Sequence, residues 1–443
     1  MKIELAGEYG YRRILKTSVP AILMMLMSSV YSIVDGIFIS NFTGTKAFAA
    51  VNLIFPAIMN VAVIGIMFGT GGSALVAMII GQGDRQRANR IFSMLIRVML
   101  ISGIILSAVF FIFIRPVSEW LGAEGEMTDM CVLYGRICLV GTPAFMSQMA
   151  FQSFFMAAER PQMGTKLTLI CGLTNIVLDA LFVGLLGWGL TGAAIATVIG
   201  QCIGGLYPLY YFSSERNTTK LKLVRTRTDW RNVGQACTNG LSEYVGNIAL
   251  NIVSICYNLQ LMKLAGEDGV AVYGILMYIG YVYASVYIGF NLTIGPVVSY
   301  NYGAGNRDEL KRLLRRSLLI LAVLGTVLTG ISELLSNPMA GIFVSYDPAL
   351  KALTGRAIRI YMISFMICGI NMFVSAWFTA LNNGIVSAVA AFTRTIVFEM
   401  GSVFLLPALF GLDGVWFAVD VADILALVLS TALLLGFRKR YGY

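Results

Sequence analysis

The chain has 443 residues, of which 58% are hydrophobic and only 12% charged, and its mean hydropathy is +0.78. Soluble domains carry roughly twice that charge, so this composition excludes a water-soluble globule and makes lipid hydrocarbon the solvent for most of the chain. The excess of 32 Lys and Arg over 23 Asp and Glu, +9 in all, is read as membrane topology and not as a nucleic-acid surface.

From the N-terminus, Met1 to Lys16 is polar and carries Glu4 and Glu8. It lacks the apolar core and small-residue cleavage site of a signal peptide, so the first span is expected to be retained. Crossing the bilayer core takes about 20 apolar residues. Twelve such stretches follow, near 17–40, 48–80, 91–114, 131–156, 164–186, 190–213, 234–262, 270–300, 313–336, 352–381, 385–409 and 413–437. Cys131, Cys138, Cys171, Cys202, Cys237, Cys256 and Cys368 lie in apolar stretches, with no C-x-x-C pair and no histidine, which indicates neither a disulfide framework nor a zinc site. No G-x-x-x-x-G-K-[ST] pattern occurs, so ATP is not the expected energy source.

Positive charge alternates along the chain. If the N-terminus is inside, twenty-three Lys and Arg, from Lys2, Arg12 and Arg13 to Arg438, Lys439 and Arg440, fall in inner segments. Only Lys46, Arg115, Lys263 and Lys351 fall outside. The bias puts both termini in the cytoplasm and agrees with an even number of spans.

The longest charged connection, Ser213 to Val233, lies near the middle and reads as a linker between halves. An internal repeat supports that division. G-Q-G-D-R at Gly81 recurs as G-A-G-N-R at Gly303, 222 residues on. The same offset aligns Arg115-Pro116 with Asn337-Pro338, and Gly189-Leu-Thr-Gly192 with Gly411-Leu-Asp-Gly414. Six spans per half return the chain to the same side, so the halves are parallel repeats about an axis along the membrane normal. The expected fold is an all-α integral membrane protein with twelve transmembrane helices in two parallel-repeat six-helix bundles around a central cavity. Its N-terminal lobe is residues 1–212, the cytoplasmic linker 213–233, and the C-terminal lobe 234–443. This is the architecture of a carrier more than of a channel.

Charge inside the membrane is costly unless protonated or paired, and so marks candidate sites. Seven acids fall within spans: Asp35, Asp179, Glu243, Glu333, Glu399, Asp420 and Asp423. Tyr31 precedes Asp35 by one turn, and Asn175 and Asp179 are i, i+4 in the fifth span, so each pair shares a helix face. Two carboxylates with amide and hydroxyl oxygens, Thr197 among them, make a hard-oxygen group that either shares a proton or holds Na⁺. The alternative is that each acid fixes helix packing through a polar neighbour. Glu243, Asn247 and Asn251 form a second stripe in the seventh span, as a cation or drug contact or as an interhelical contact. Glu399 reads as a charge paired with Arg394 of the same span, Glu333 as facing the headgroups, and Asp420 and Asp423 as lining the outer mouth. Tyr273, Tyr278, Tyr281, Tyr283 and Tyr287 cluster in the eighth span, either as walls for flat lipophilic cations or as ordinary packing.

These residues resemble the multidrug and toxic compound extrusion (MATE) exporters: V-D-G-I-F-I-S around Asp35, Gln82-Gly83-Asp84, N-x-x-x-D at Asn175, and G-L-T-G-A-A-I-A-T ending at Thr197. G-L-D-G-V-W from Gly411 with Ala422-Asp423 resembles the matching C-terminal signature. The likeness covers nearly the whole chain and points to the bacterial branch with the DinF-like and MepA-like proteins. It implies cation-coupled efflux of amphipathic, cationic organic compounds, with Na⁺ or H⁺ as coupling ion and no other cofactor. The implied setting is the plasma membrane of a prokaryote, with a monomer contacting lipid and small-molecule substrate and no nucleic acid. The implied cation site falls on Asp35, Asn175, Asp179 and Thr197, with Tyr31, Tyr134 and Gln152 lining the same cavity. At residue 152 this chain departs from its relatives' Asn. Glu243 matches a seventh-span acid used by some relatives, and Pro20 a proline that permits a kink in the first helix. No function is carried onto Asp420. A flippase for lipid-linked saccharides is the alternative in a related fold. A membrane enzyme would need a nucleophile or metal constellation, and none is found.

Overall fold

The computed structural model describes residues 4–345 and 347–443; Lys2, counted above among the inner charges, lies outside them. The first six long helices are α1 (Tyr11–Thr43), α2 (Thr45–Gly81), α3 (Arg85–Trp120), α4 (Glu126–Ala157), α5 (Pro161–Leu185) and α6 (Gly189–Ser213). The last four are α9 (Arg307–Val344), α10 (Pro348–Ala380), α11 (Gly384–Phe410) and α12 (Leu412–Tyr441).

Between them, Trp230–Gly303 runs as 74 helical residues, which straightened would reach about 110 Å, several bilayer cores. Gly266 breaks it, with φ 62° and ψ −146°, a conformation that a β-carbon disfavours. Tyr257 and Tyr273, on either side of that break, stack with ring centroids 4.7 Å apart. The segment is therefore two antiparallel helices, α7 (230–265) and α8 (267–303), which brings the spans to twelve.

The duplication extends to backbone geometry. Gly44, Gly83 and Gly189 end or begin helices at φ 89°, 89° and 53°, and Gly266, Gly305 and Gly411, each 222 residues on, sit at 62°, 72° and 58°. Asp84 and Asn306, also 222 apart, both cap the helix that follows, through the amides of Arg87 (2.9 Å) and Glu309 (3.2 Å). A side-chain oxygen there satisfies one of the orphan amides of the first turn.

Each half has its own apolar core, and the halves meet along α1 and α2 against α7 and α8. The seam is built on small residues. Gly71 lies against the Ala236 carbonyl and Gly240, Gly240 against Met67, Gly81 against Tyr300, and Gly303 against Met78; a β-carbon at any of them would overlap neighbouring backbone. Within lipid there is little hydrophobic drive between helices, so such close backbone approach supplies the attraction. Gly289 of α8 backs onto Ala21 and Ile22 of α1, and Ser29 and Ser285 join their hydroxyls at 2.7 Å near the middle of both helices. These contacts occupy the half of the bundle that carries the termini. Along α7 the side facing the seam opens progressively: Ala236 is buried, Glu243 and Asn247 are half-buried, and Asn251 is exposed. The halves are closed at the terminal end and part toward the other.

Residues 214–229 join α6 to α7 and lie along α3. Lys222 N donates to Asn89 Oδ1 (3.0 Å), Val224 N to Ser93 Oγ (2.8 Å), and Arg97 to Thr226 O (2.9 Å).

A short N-terminal strap crosses the closed end. Leu5 N donates to Glu159 Oε1 of the first half (2.9 Å), which also takes Lys220 Nζ of the linker (2.8 Å). Tyr9 N donates to Glu309 Oε1 (2.7 Å), and Arg316 Nη1 to Tyr9 O (2.6 Å), in the second. Burial pushes the Tyr9 phenol up to about 12, against the opposing pull of the Arg13 guanidinium, so it stays a donor to Glu4 O (2.5 Å). Glu159→Ala leaves the Leu5 amide and Lys220 without their acceptor, and a bond to a charged group is worth about 1.5–3 kcal/mol. The expected result is about a tenfold shift toward separation at this end. Electron-resonance distances between spin labels at Arg87 and Asp308, in a background without native cysteines, check it; unchanged distributions would refute it.

Candidate functional site

α1, α5 and α6 converge inside the first half. Gly172 of α5 makes room for the Tyr31 ring, 3.3 Å from where its β-carbon would lie, which seats this part of α1 on α5. One turn on, Asp35 comes within hydrogen-bonding reach of Asp179, Asn175 and Thr197. Asn175 Nδ2 donates to Thr197 Oγ1 at 3.4 Å, tying α5 to α6. All four residues with the expected cation role thus meet at one place. Asp179 is 0% exposed and Asn175 4%, while Asp35 is half-buried.

The chemistry of the group is one-sided. Asp35 Oδ1, Asn175 Oδ1 and both Asp179 oxygens are buried without a hydrogen-bond partner. Two carboxylates face each other, and two acceptors make no hydrogen bond until a proton or cation sits between them. A buried acceptor left unpaired costs about 1–3 kcal/mol, more when charged. The residues present therefore fit H⁺ or Na⁺, each of which clustered oxygens turned inward can hold. Tyr134 of α4 lies close to Asp35, Asp179 and Cys138, is 1% exposed, and forms a wall of the group. Gln152 is eighteen residues farther along α4, about 27 Å from Tyr134, so the structure does not bring it to this group.

The comparisons follow from this architecture. The MatE family profile matches residues 20–181 and, a second time, 244–405. The chain belongs to the MatE family. It is 22% identical over 431 residues to the multidrug export protein MepA of Staphylococcus haemolyticus (strain JCSC1435), covering 97% of this chain and 94% of that protein. Among solved structures, it is similar to an outward-facing multidrug resistance MATE family transporter (TM-score 0.92, 22% identity, 99% of this chain and 97% of that one). A MATE crystal structure in the straight conformation gives the same four values. The likeness confirms the fold: an integral membrane protein with twelve helices in two repeats.

Other expected residues of this MatE chain fall as follows. Pro20 sits inside a continuous α1, and its carbonyl accepts from Thr165 Oγ1 of α5 at 2.7 Å. Glu243, Asn247 and Asn251 prolong the face of α7 that meets the other half, but Asn247 Nδ2 is spent on the Glu243 carbonyl (2.8 Å). Glu333 is exposed, as expected for a headgroup contact.

Two further expectations need correction. Asp420 and Asp423 do not line an outer mouth: they are 7% and 1% exposed, enclosed by the second half. Arg394 does not pair with Glu399 but with Asp423 of α12, through Nε (2.6 Å) and Nη2 (3.4 Å). Asn371 Nδ2 adds a bond to Asp423 Oδ1 (3.1 Å), and Ser430 holds Asn371 (3.1 Å). Of the two readings of the α8 tyrosines, packing accounts for most: Tyr273, Tyr283 and Tyr287 are buried against Tyr257, Tyr361 and Phe365, while Tyr278 and Tyr281 are exposed. Arg394–Asp423 is the feature that sequence reasoning missed. An arginine within an apolar span signals a partner, yet spacing along one helix cannot name a partner on another.

Proposed function

We propose that this protein is a cation-coupled antiporter that exports amphipathic, cationic organic compounds by alternating access, driven by inward movement of H⁺ or Na⁺ through Asp35, Asn175, Asp179 and Thr197. The observation that carries it is the set of four buried, unpartnered oxygens on Asp35, Asn175 and Asp179. The name of the MepA relative as a multidrug export protein supports the same reading.

Coupling follows from charge. A cationic compound between the halves and a cation at Asp35 compete for the same two carboxylates, so binding one weakens the other, by reciprocal linkage. With both termini cytoplasmic, the seam of Gly71, Gly81 and Gly303 is the cytoplasmic seal and the arrangement faces outward. A cation then reaches the half-buried Asp35 from outside, expels the compound, and is released inside once the halves rock. The protein is proposed to work as a monomer in a prokaryotic plasma membrane, with Glu243 and Asn247 on the substrate path. The alternative, export of a lipid-linked saccharide, places a pyrophosphate beside these carboxylates and is disfavoured by like charge.

Ethidium efflux from proteoliposomes, under separately imposed Na⁺ and proton gradients, tests the function. At least one inward gradient is expected to drive efflux against an ethidium gradient; indifference to both would overturn the reading. In the same assay, Pro20→Ala returns an amide donor to the Lys16 carbonyl and stiffens α1. Lower efflux with ethidium binding retained is expected if α1 bends during the cycle, and wild-type efflux would remove that role.

A further inference from the structure

The second half contains a buried polar group that neither the fold nor the Arg394–Asp423 pair consumes. The 222-residue offset carries Asp35 onto Tyr257 of α7, Asp179 onto Gly401 of α11, and Thr197 onto Val419 of α12. Beside those positions stand Glu399, two residues from Gly401, and Asp420, next to Val419. The three helices α7, α11 and α12 thus present Tyr257, Glu399 and Asp420 where α1, α5 and α6 present the first group.

The three residues are 0%, 7% and 7% exposed. Tyr257 is close to both acids, and it lies between the rings of Tyr273 (4.7 Å) and Tyr361 (6.2 Å). Both Asp420 oxygens are buried without a well-formed hydrogen bond, although the Ser364 backbone lies close, and the Tyr257 hydroxyl and the indole nitrogen of Trp416, one turn before Asp420, are likewise unpartnered. Charge does not balance either. Glu399 lies near Arg394 as well as Asp423, and Asp420 near Asp423, but the one guanidinium is bonded to Asp423, and Cys368 occupies its remaining side (3.2 Å). Two further carboxylates have no cation of their own.

We propose that Asp420, with Glu399 and Tyr257 beside it, is a second proton-binding site, in the second half and at the pseudo-symmetric counterpart of the Asp35 group. A buried carboxylate without a counter-charge holds a proton in preference to a charge. The proton is chosen over Na⁺ because a proton needs a single oxygen, while Na⁺ requires several turned inward, and Asp420 is walled by the aromatic side chains of Tyr257 and Trp416. A proton on one Asp420 oxygen removes the uncompensated charge from this enclosed space. The site stands whether or not the first group couples transport, since its proton is bound within the second half alone.

Infrared difference spectra of the purified protein in detergent, titrated between acid and alkaline pH, read protonated carboxyl groups directly through their carbonyl stretch and its shift in D₂O. A buried carboxyl band is expected to survive Asp35→Asn and Asp179→Asn, to disappear in Asp420→Asn, and to shift in Tyr257→Phe. Thermal unfolding of each variant controls for folding, and Tyr257→Phe carries the test if Asp420→Asn does not fold. A spectrum unchanged by Asp420→Asn and by Tyr257→Phe would overturn the site. A band that vanishes on adding Na⁺ would replace the proton with that ion, and also overturn it.

Discussion

Asp179→Asn is expected to reduce gradient-driven ethidium efflux to the passive leak and to weaken ethidium binding, because the compound and the coupling cation share its carboxylate. The change keeps the size of the side chain and most of its hydrogen-bonding capacity, and removes only its charge. Asp179 is fully enclosed and both its oxygens are unpartnered, so nothing else in the group takes over the lost negative charge. Coupling free energies between two sites are typically 1–3 kcal/mol, so the ratio of driven to undriven efflux is expected to fall about 5–150-fold. Asp35→Asn acts in the same direction, because the carboxyl it replaces faces Asp179 across the same space. Full gradient-driven efflux in both variants would remove the Asp35 group from the mechanism.

Asp423→Ala should lower the thermal midpoint more than any other single change in the second half. It leaves the Arg394 guanidinium unpaired beside Cys368, in a core where water does not replace the lost carboxylate. Breaking one partner of a buried pair costs about 3–5 kcal/mol, whereas removing both together is often near neutral. For a unit the size of one half, that cost corresponds to roughly 6–20 °C. The double variant Arg394→Met with Asp423→Leu should recover most of the loss. Unfolding followed by the fluorescence of the five tryptophans measures both; a midpoint unchanged in Asp423→Ala would show that the pair bears no structural load.

Both expectations rest on how far a membrane sequence discloses its own structure. The spans are legible because lipid admits one solution for an apolar backbone, a helix of fixed length, and hydropathy adds up along the chain. Turns are equally local: Gly83 and Gly305 carry the left-handed backbone their motifs suggest, and Asp84 and Asn306 cap as their types imply. Asn175 and Asp179 share a face because a helical turn is short, and that pairing follows from spacing alone.

Partnership between helices is a different matter. That Asp35 meets Asp179 and Thr197 depends on α1 lying against both α5 and α6, which a glycine at 172 and a threonine at 165 allow but do not announce. Arg394 has Glu399 within its own span and nonetheless pairs with Asp423, because packing brings that carboxylate of α12 within hydrogen-bonding distance. Gln152 and Tyr134 stand on one helix and serve different ends of it. Asp420 reads from sequence as an acid of the outer mouth and is instead enclosed, since α12 is covered by α10 and α11. Span number, length and turn geometry obey local rules, and a single chain carries them in order. Which buried charges meet is settled only when separate helices pack, for an uncompensated charge lowers its energy by whatever neighbour arrives within bonding distance.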